Sequence, residues 1–422
     1  MRLKFALLAL AVGLASAPVR AEESSVETEV PSFVPGKGFN VARNELGSLN
    51  ISAYALLRYL NQLPAGQSFQ DHLGRYRLID PRQDIQLHRV LIHLTGFLLN
   101  PRFTYQASVW AVNSTNSVTA FGVLNYKFTD ALTIGGGIGA LPGTRSLNYE
   151  HPYFLGTDRQ MADEYFRPSF TSGVWVQGEP ISRFHYRLML GNNLNTVDIG
   201  ARQLSRDFAT GATVFWMPTT GEFGPKGGFG DFEDHELLAT RFGLSAAHSR
   251  ENQQSQGPSA NNFPENTTIK ISDSLTLFDP GTLADGVTMI NADFNLLAVD
   301  ASAKYRGFFV FLEGYFRHLS KFNADGPLPI SVIRDYGWML QGSYMVTPKK
   351  WEAYLAHSQI YGQFNRALEL TLGTNYYPFR SRSLKVNGSV TYVDRSPASS
   401  LFGYFVGGEK GPIIAISTDY YF

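Results

Sequence analysis

From Gly411 to Phe422 the sequence reads GPIIAISTDYYF, and its alternation constrains the fold more than any other stretch. Phe422, Tyr420, Thr418, Ile416 and Ile414 share one face of an extended chain, while Tyr421, Asp419, Ser417 and Ala415 share the other. A strand of a soluble sandwich has the same period. Here, though, the opening residues MRLKFALLALAVGLASAPVRA carry Arg2 and Lys4, an apolar run from Phe5 to Leu14, and small residues suited to cleavage after Ala21. That is the pattern of a secretory signal peptide, too short in its apolar run for the ~20 residues of a spanning helix. An exported chain whose last strand has one greasy face and ends on an aromatic residue is expected to be an outer-membrane β-barrel. Its apolar face would meet lipid and its polar face a watery lumen.

The reading divides the chain into a signal peptide (1–21), a periplasmic N-terminal segment (22–47), acidic and Ser/Thr-rich at its start, and a transmembrane barrel (48–422). No stretch after Ala21 approaches a spanning helix, so insertion must use strands. Ile51, Ala53, Ala55, Leu57 and Tyr59 alternate with Ser52, Tyr54, Leu56 and Arg58 in a first strand. The rhythm recurs near 83–97, 101–112, 118–128, 131–140, 171–179, 183–192, 210–217 and 237–247. It continues near 294–306, 308–319, 334–346, 351–360, 366–377, 384–394 and 411–422. The expected fold is all-β, an antiparallel barrel of about 16 strands. Three connections are long: Leu141 to Pro168, Thr219 to Glu236 and Arg250 to Asp293. Such loops belong on the extracellular side or fold into the lumen.

Cysteine is absent, which removes disulfides and thiolate metal sites. Loss of Arg2, Lys4 and Arg20 with the signal leaves 33 basic residues against 36 acidic ones, so the mature chain is weakly acidic. Nucleic-acid binding has no electrostatic footprint in such a chain. Aromatic residues make up 14%, enough for girdles at two membrane interfaces.

If the apolar residues face lipid, the inward cations are Arg58, Arg89, Arg102, Lys127, Arg183, Arg187, Arg241, Lys304, Arg306, Arg317 and Lys385. Arg183, His185 and Arg187 share one face of one strand, a ladder that could replace part of an anion's hydration shell. The competing reading pairs these cations with inward Asp300, Glu313, Glu369 and Asp419. Within the first long loop, Arg145, Arg159 and Arg167 with Asp158, Asp163 and Glu164 form a candidate constriction, filtering by size and dipole or else holding the loop to the wall. Gly135, Gly136, Gly137 and Gly139 lack the lysine of a phosphate-binding loop and read as a kinked strand that lets this loop enter. His235 beside Glu233, Asp234 and Glu236 reads as a solvated acidic loop tip, so no metal and no cofactor is expected. His88, His93, His185, His248, His318 and His357 are scattered with no local serine motif, so no catalytic residues are assigned, although a triad assembled across strands stays open.

PGKGFNVARNELGSLNISAYALLRYLNQ, YGWMLQGSYMVTPKKWEAYLAHSQI and ELTLGTNYYPFRSRSLKVNGSVTY resemble the entry, a late hairpin and the following hairpin of the phosphate-selective porin O and P family. The resemblance runs, with gaps in the loops, over nearly the whole mature chain. It implies a 16-stranded outer-membrane channel, assembled as a homotrimer among lipid and lipopolysaccharide, that passes small ions or polar solutes by diffusion. It also implies anion selectivity through inward arginines and lysines. A channel specific for another small solute and a barrel enzyme are the other readings of the same residues.

Overall fold

The computed structural model describes residues 33–34, 38–112, 117–148, 153–197, 199–257, 265–399 and 403–422. The expected signal peptide and the acidic stretch after it lie outside these residues. Two short strands, β1 (Phe33–Val34) and β2 (Gly38–Asn44), precede β3 (Gly47–Gln62). A small hairpin of β4 (Gln67–Gln70) and β5 (Tyr76–Ile79) leads to β6 (Gln83–Leu98), β7 (Asn100–Val112), β8 (Ser117–Thr129) and β9 (Leu132–Ala140). The chain continues through β10 (Phe170–Ile181), β11 (Phe184–Gly191), β12 (Ala209–Trp216), β13 (Ala239–Asn252) and β14 (Met289–Tyr305). It ends with β15 (Phe308–Ala324), β16 (Ile333–Thr347), β17 (Trp351–Tyr361), β18 (Arg366–Tyr376), β19 (Leu384–Asp394) and β20 (Lys410–Tyr421). β3 and β6–β20 form a closed antiparallel barrel of 16 strands. The last strand closes on the first, from Ile413 opposite Gln62 to Tyr421 opposite Tyr54.

Alternation decides which side chains meet lipid. In β18, Glu369, Thr371 and Asn375 are buried, and Leu370 and Leu372 are exposed on the other face. In β20, Ile413, Ala415, Ser417 and Asp419 point in, and Ile416 and Tyr420 point out. A slip of one residue would put Glu369, Lys385 and Asp419 into hydrocarbon, so the register is firmly specified. Outward aromatic pairs mark both rims. Phe308 stacks on Tyr344 (4.2 Å between ring centroids) near the tight turns, and Tyr336 on Tyr361 (5.0 Å) near the other end. Tyr344 and Tyr336 are eight residues apart on β16, or roughly 20 Å of height on a tilted strand, close to the apolar band of such barrels.

The two ends differ. Tight connections at Leu99, Asp130–Ala131, Ser182–Arg183, Arg306–Gly307 and Pro348–Lys350 share one end with Phe422, which we call the turn end. The 141–169 and 253–288 connections open at the opposite end. The third long loop is shorter than expected, because β13 runs on to Asn252 and β14 starts at Met289. The second, 217–238, departs from expectation in origin: it leaves the turn end and folds into the lumen.

These loops fill much of the barrel. Phe154, Leu155, Met161 and Phe166 of the first loop, Phe223 and Phe229 of the second and Ile271 and Phe278 of the third are buried in one apolar cluster. It packs on inward Phe309, Phe311 and Tyr315 of β15 and Met339 of β16. Phe166, in a six-residue helix α1 (Met161–Phe166), stacks on Tyr315 at 5.1 Å. The loops from opposite ends meet where the Phe229 N–H donates to the Tyr153 carbonyl at 3.0 Å.

Candidate functional site

Every charged side chain enclosed by this wall has lost water, and most have gained a partner. On the β13–β20 side the inward cations hold loops. Arg317 donates to Asp335 Oδ2 at 2.6 Å and to the carbonyls of Tyr165 (3.2 Å) and Lys270 (2.7 Å), with its guanidinium over the Tyr165 ring. Lys385 reaches the Gly156 carbonyl at 3.0 Å and Asp419 at 3.3 Å. Lys304 donates to the Phe223 carbonyl at 2.9 Å, and Arg241 pairs with Asp300 at 2.5 Å. Glu369 accepts from the Met161 N–H at 2.7 Å and Glu313 from the Arg145 N–H at 2.9 Å. Of the carboxylates expected to match these cations, Asp300 and Asp419 do so, whereas Glu313 and Glu369 accept from backbone N–H groups of the first loop.

The candidate constriction loop is likewise tied down. Arg145 contacts Ser302 Oγ at 2.6 Å and Asp300 at 3.5 Å. Arg159 pairs with Glu265 at 2.6 Å and Asp163 at 3.5 Å, and Arg167 with Glu164 at 3.0 Å. Asp158 takes Arg89 at 2.9 Å and Arg58 at 3.9 Å. Four arginines (58, 89, 159, 167) thus face four carboxylates (158, 163, 164, 265), so the cluster is balanced in formal charge. Burial pushes the Glu164 carboxyl up, whereas Glu265, also buried, is held below the usual carboxylate range by Arg159, Arg167 and Arg89. Glu265 was not singled out in the sequence, because it comes from the third loop and meets the first only in space.

Two cations of the proposed set are not on strands. Arg183 (φ 69°) and Arg306 (φ 47°) occupy two-residue turns, where one residue must take the left-handed region. Arg183 donates through Nη1 to the carbonyls of Pro218 (2.7 Å) and Thr219 (2.8 Å), anchoring the start of the second loop. The expected ladder of Arg183, His185 and Arg187 therefore reduces to His185 and Arg187 on β11. Arg102 is exposed beside the tight turn at Leu99, and Lys127 pairs with Asp130 at 2.6 Å near another.

Arg187 is different from the rest. It lies over the Trp175 ring at 4.9 Å, and among the described residues it has neither an ion pair nor a side-chain hydrogen bond. Its Nε and the Nε2 of His185, which stacks on Phe215 at 4.7 Å, are both buried without a partner among the described residues. Two cavities, of about 310 Å³ and about 600 Å³, share Arg187 and Gln177 in their linings. The smaller reaches toward the loop end past Trp110, Phe121 and Arg159. The larger reaches the turn end past Lys127, Glu179 and Glu222. The glycine-rich strand makes room for this arrangement. A Cβ at Gly135 would lie 2.3 Å from Trp175 Nε1, whose N–H donates to Asn125 Oδ1 at 2.9 Å, and one at Gly139 would lie 3.0 Å from Arg187 Nη2. Gly137 has φ +133°, a local irregularity just before the first loop departs at Leu141.

On the same cavity wall His93 Nδ1 lies 2.7 Å from Ser108 Oγ, and the Gln106 amide donates to that oxygen at 3.0 Å. The acidic tip at 233–236 is solvated as expected at Asp234 and Glu236, which are exposed, but not at His235. His235 is buried, with Nδ1 on Asp231 and Nε2 2.8 Å from Glu222, and Glu233 pairs with Arg382 at 3.3 Å. Asp231, Glu233 and His235 have ligand-type atoms close together; Asp231 accepts from the Gly307 N–H, His235 bridges Asp231 and Glu222, and Glu233 pairs with Arg382.

No protein-family model matches the chain and no curated protein sequence does. Solved structures do. Outer-membrane expressed OmpT of Vibrio cholerae is similar at 14% identity and TM-score 0.55, over 90% of this chain and 99% of that one. An anion-selective porin from Comamonas acidovorans is similar at 13% identity and TM-score 0.50, over 89% and 100%. OmpF of Salmonella typhi, in complex with daunomycin, is similar at 12% identity and TM-score 0.51, over 90% and 99%. At these identities the likeness is one of fold: the chain is built on the same barrel as outer-membrane porins.

Proposed function

We propose that this chain is a porin of the bacterial outer membrane, forming a channel for passive diffusion of small ions and polar solutes. The observation that carries the reading is the pair of cavities on either side of Arg187 and Gln177, which lie along β6–β12 toward opposite ends of the barrel while loops fill much of the lumen. The fold shared with porins supports it, as do the outward aromatic rims. Arg187, uncompensated by any carboxylate among the described residues, would bias passage toward anions, in keeping with the motifs that resemble the phosphate-selective family. That resemblance also supports export by the N-terminal signal, a homotrimer, and contact with lipopolysaccharide. The chain is read as a channel and not as an enzyme, in keeping with the barrel it shares with porins.

Planar-bilayer recording in a KCl gradient tests this. The wild-type chain should conduct and reverse toward chloride, and Arg187→Glu should move the reversal potential toward potassium. Absence of any current from folded protein would defeat the proposal.

A further inference from the structure

We propose that the smaller cavity is a binding site for a carboxylate with a flat apolar body, an aromatic monocarboxylate, held by its carboxylate on Arg187. The site rests on the channel reading only for its access to solute. Its chemistry follows from what lines it. The guanidinium of Arg187 presents a planar fork of donors that matches a carboxylate edge-on, and no protein carboxylate takes that place among the described residues. The other cation on this wall, Arg159, is already matched by Glu265 at 2.6 Å. One uncompensated positive charge suits one negative charge. An inorganic phosphate dianion would surrender more hydration than a single guanidinium returns.

The rest of the lining selects the body. Trp110, Phe121 and Trp175 give flat apolar surface, and Trp175 is fixed in place by its hydrogen bond to Asn125. Gln106 and Gln177 supply a few polar contacts at the edge. A volume of about 310 Å³ is at the small end of ligand clefts and has room for a single ring with its carboxylate. The ring would lie beside Trp110 and Phe121 while its carboxylate meets the guanidinium that already stacks on Trp175.

The test is calorimetric titration of the detergent-solubilised full chain with benzoate, acetate and inorganic phosphate, alongside block of KCl current by each. Benzoate should bind saturably and reduce the current. Acetate, lacking the ring, and phosphate, with the wrong charge, should each bind at least about tenfold more weakly. Arg187→Gln should weaken benzoate about tenfold or more by removing the charge-assisted pair, and Arg187→Lys, which keeps charge but loses the fork, should fall between. Folding of both variants is checked by the heat-dependent shift in electrophoretic mobility of barrels; should Arg187→Gln fail to fold, Arg187→Lys and the wild-type order of anions decide. Phosphate binding as well as benzoate, or unchanged benzoate affinity in a folded Arg187 variant, overturns the proposal, as does absence of benzoate binding. A chain that binds benzoate but carries no current defeats the channel reading and leaves the site standing.

Discussion

Strands β14 and β15 run for 17 residues each and face aromatic side chains of the lumen loops, whereas β11 and β12 run for eight each and face open cavity. Both regions carry inward arginines. Arg317 on β15 is buried against Asp335 and two loop carbonyls; Arg187 on β11 touches an indole face and nothing charged among the described residues. The difference shows that an inward cation has no fixed role in such a barrel. Where a loop arrives with carbonyls and carboxylates the cation becomes a clamp, and where none arrives it faces solute.

The sharpest test compares these two arginines. Arg317→Met strands the buried Asp335 carboxylate and should cost about 3–5 kcal/mol of stability, read by denaturant unfolding in detergent. Arg187→Met loses mainly its stacking and should cost no more than about 1 kcal/mol. Equal losses would erase the distinction between the two regions. Next, replacing residues 221–233 by a short Gly-Ser link removes Phe223 and Phe229 from the packed side and should raise single-channel conductance severalfold; an unchanged conductance would mean that the second loop does not obstruct. On the open side, Gly139→Leu places a side chain against Arg187 and Trp175, and should lower conductance at a stability cost of about 1–3 kcal/mol from overpacking. Conductance equal to wild type would put the route elsewhere.

The smallest effect concerns His235. Its hydrogen bond to Asp231, then the charges of Asp231 and Glu222, hold the imidazolium above the ordinary histidine value, against burial and Lys304. The folded state therefore binds this proton more tightly than the unfolded chain does. Its contribution is complete below about pH 6.5 and is lost as pH rises through the raised value. Proteolytic nicking within 217–238 should increase across that interval in the wild type and be flat in His235→Gln; a wild-type profile without pH dependence would exclude the pair as a latch.

Much of this was legible beforehand because it depends on period two. The face of Arg58, Glu369, Lys385 and Asp419 follows from their greasy neighbours, and the closing strand follows from GPIIAISTDYYF. The origin of the second loop was also within reach, since 219–236 follows the eighth expected strand while the other two long loops follow the fifth and the ninth, and successive strands alternate ends. Arg183 was misplaced because alternation continues formally through a tight turn that only backbone geometry exposes. What sequence could not convey is which cation finds a partner. Glu265 meets Arg159 across two loops, a separation that no local pattern encodes, whereas Asp335 lies directly opposite Arg317 on the next strand of the same hairpin. Arg187 is set apart by what fails to reach it.

The Phe229–Tyr153 contact has a bearing on the chronology of assembly. It joins a segment entering from one rim to a segment entering from the other, deep inside a cylinder whose seam is the β3–β20 pairing. A cylinder sealed first would have to swallow both segments through its mouths, desolvating Arg145, Lys304 and Lys385 on the way. Zipping the seam last, around contents already gathered on an open sheet, avoids that passage.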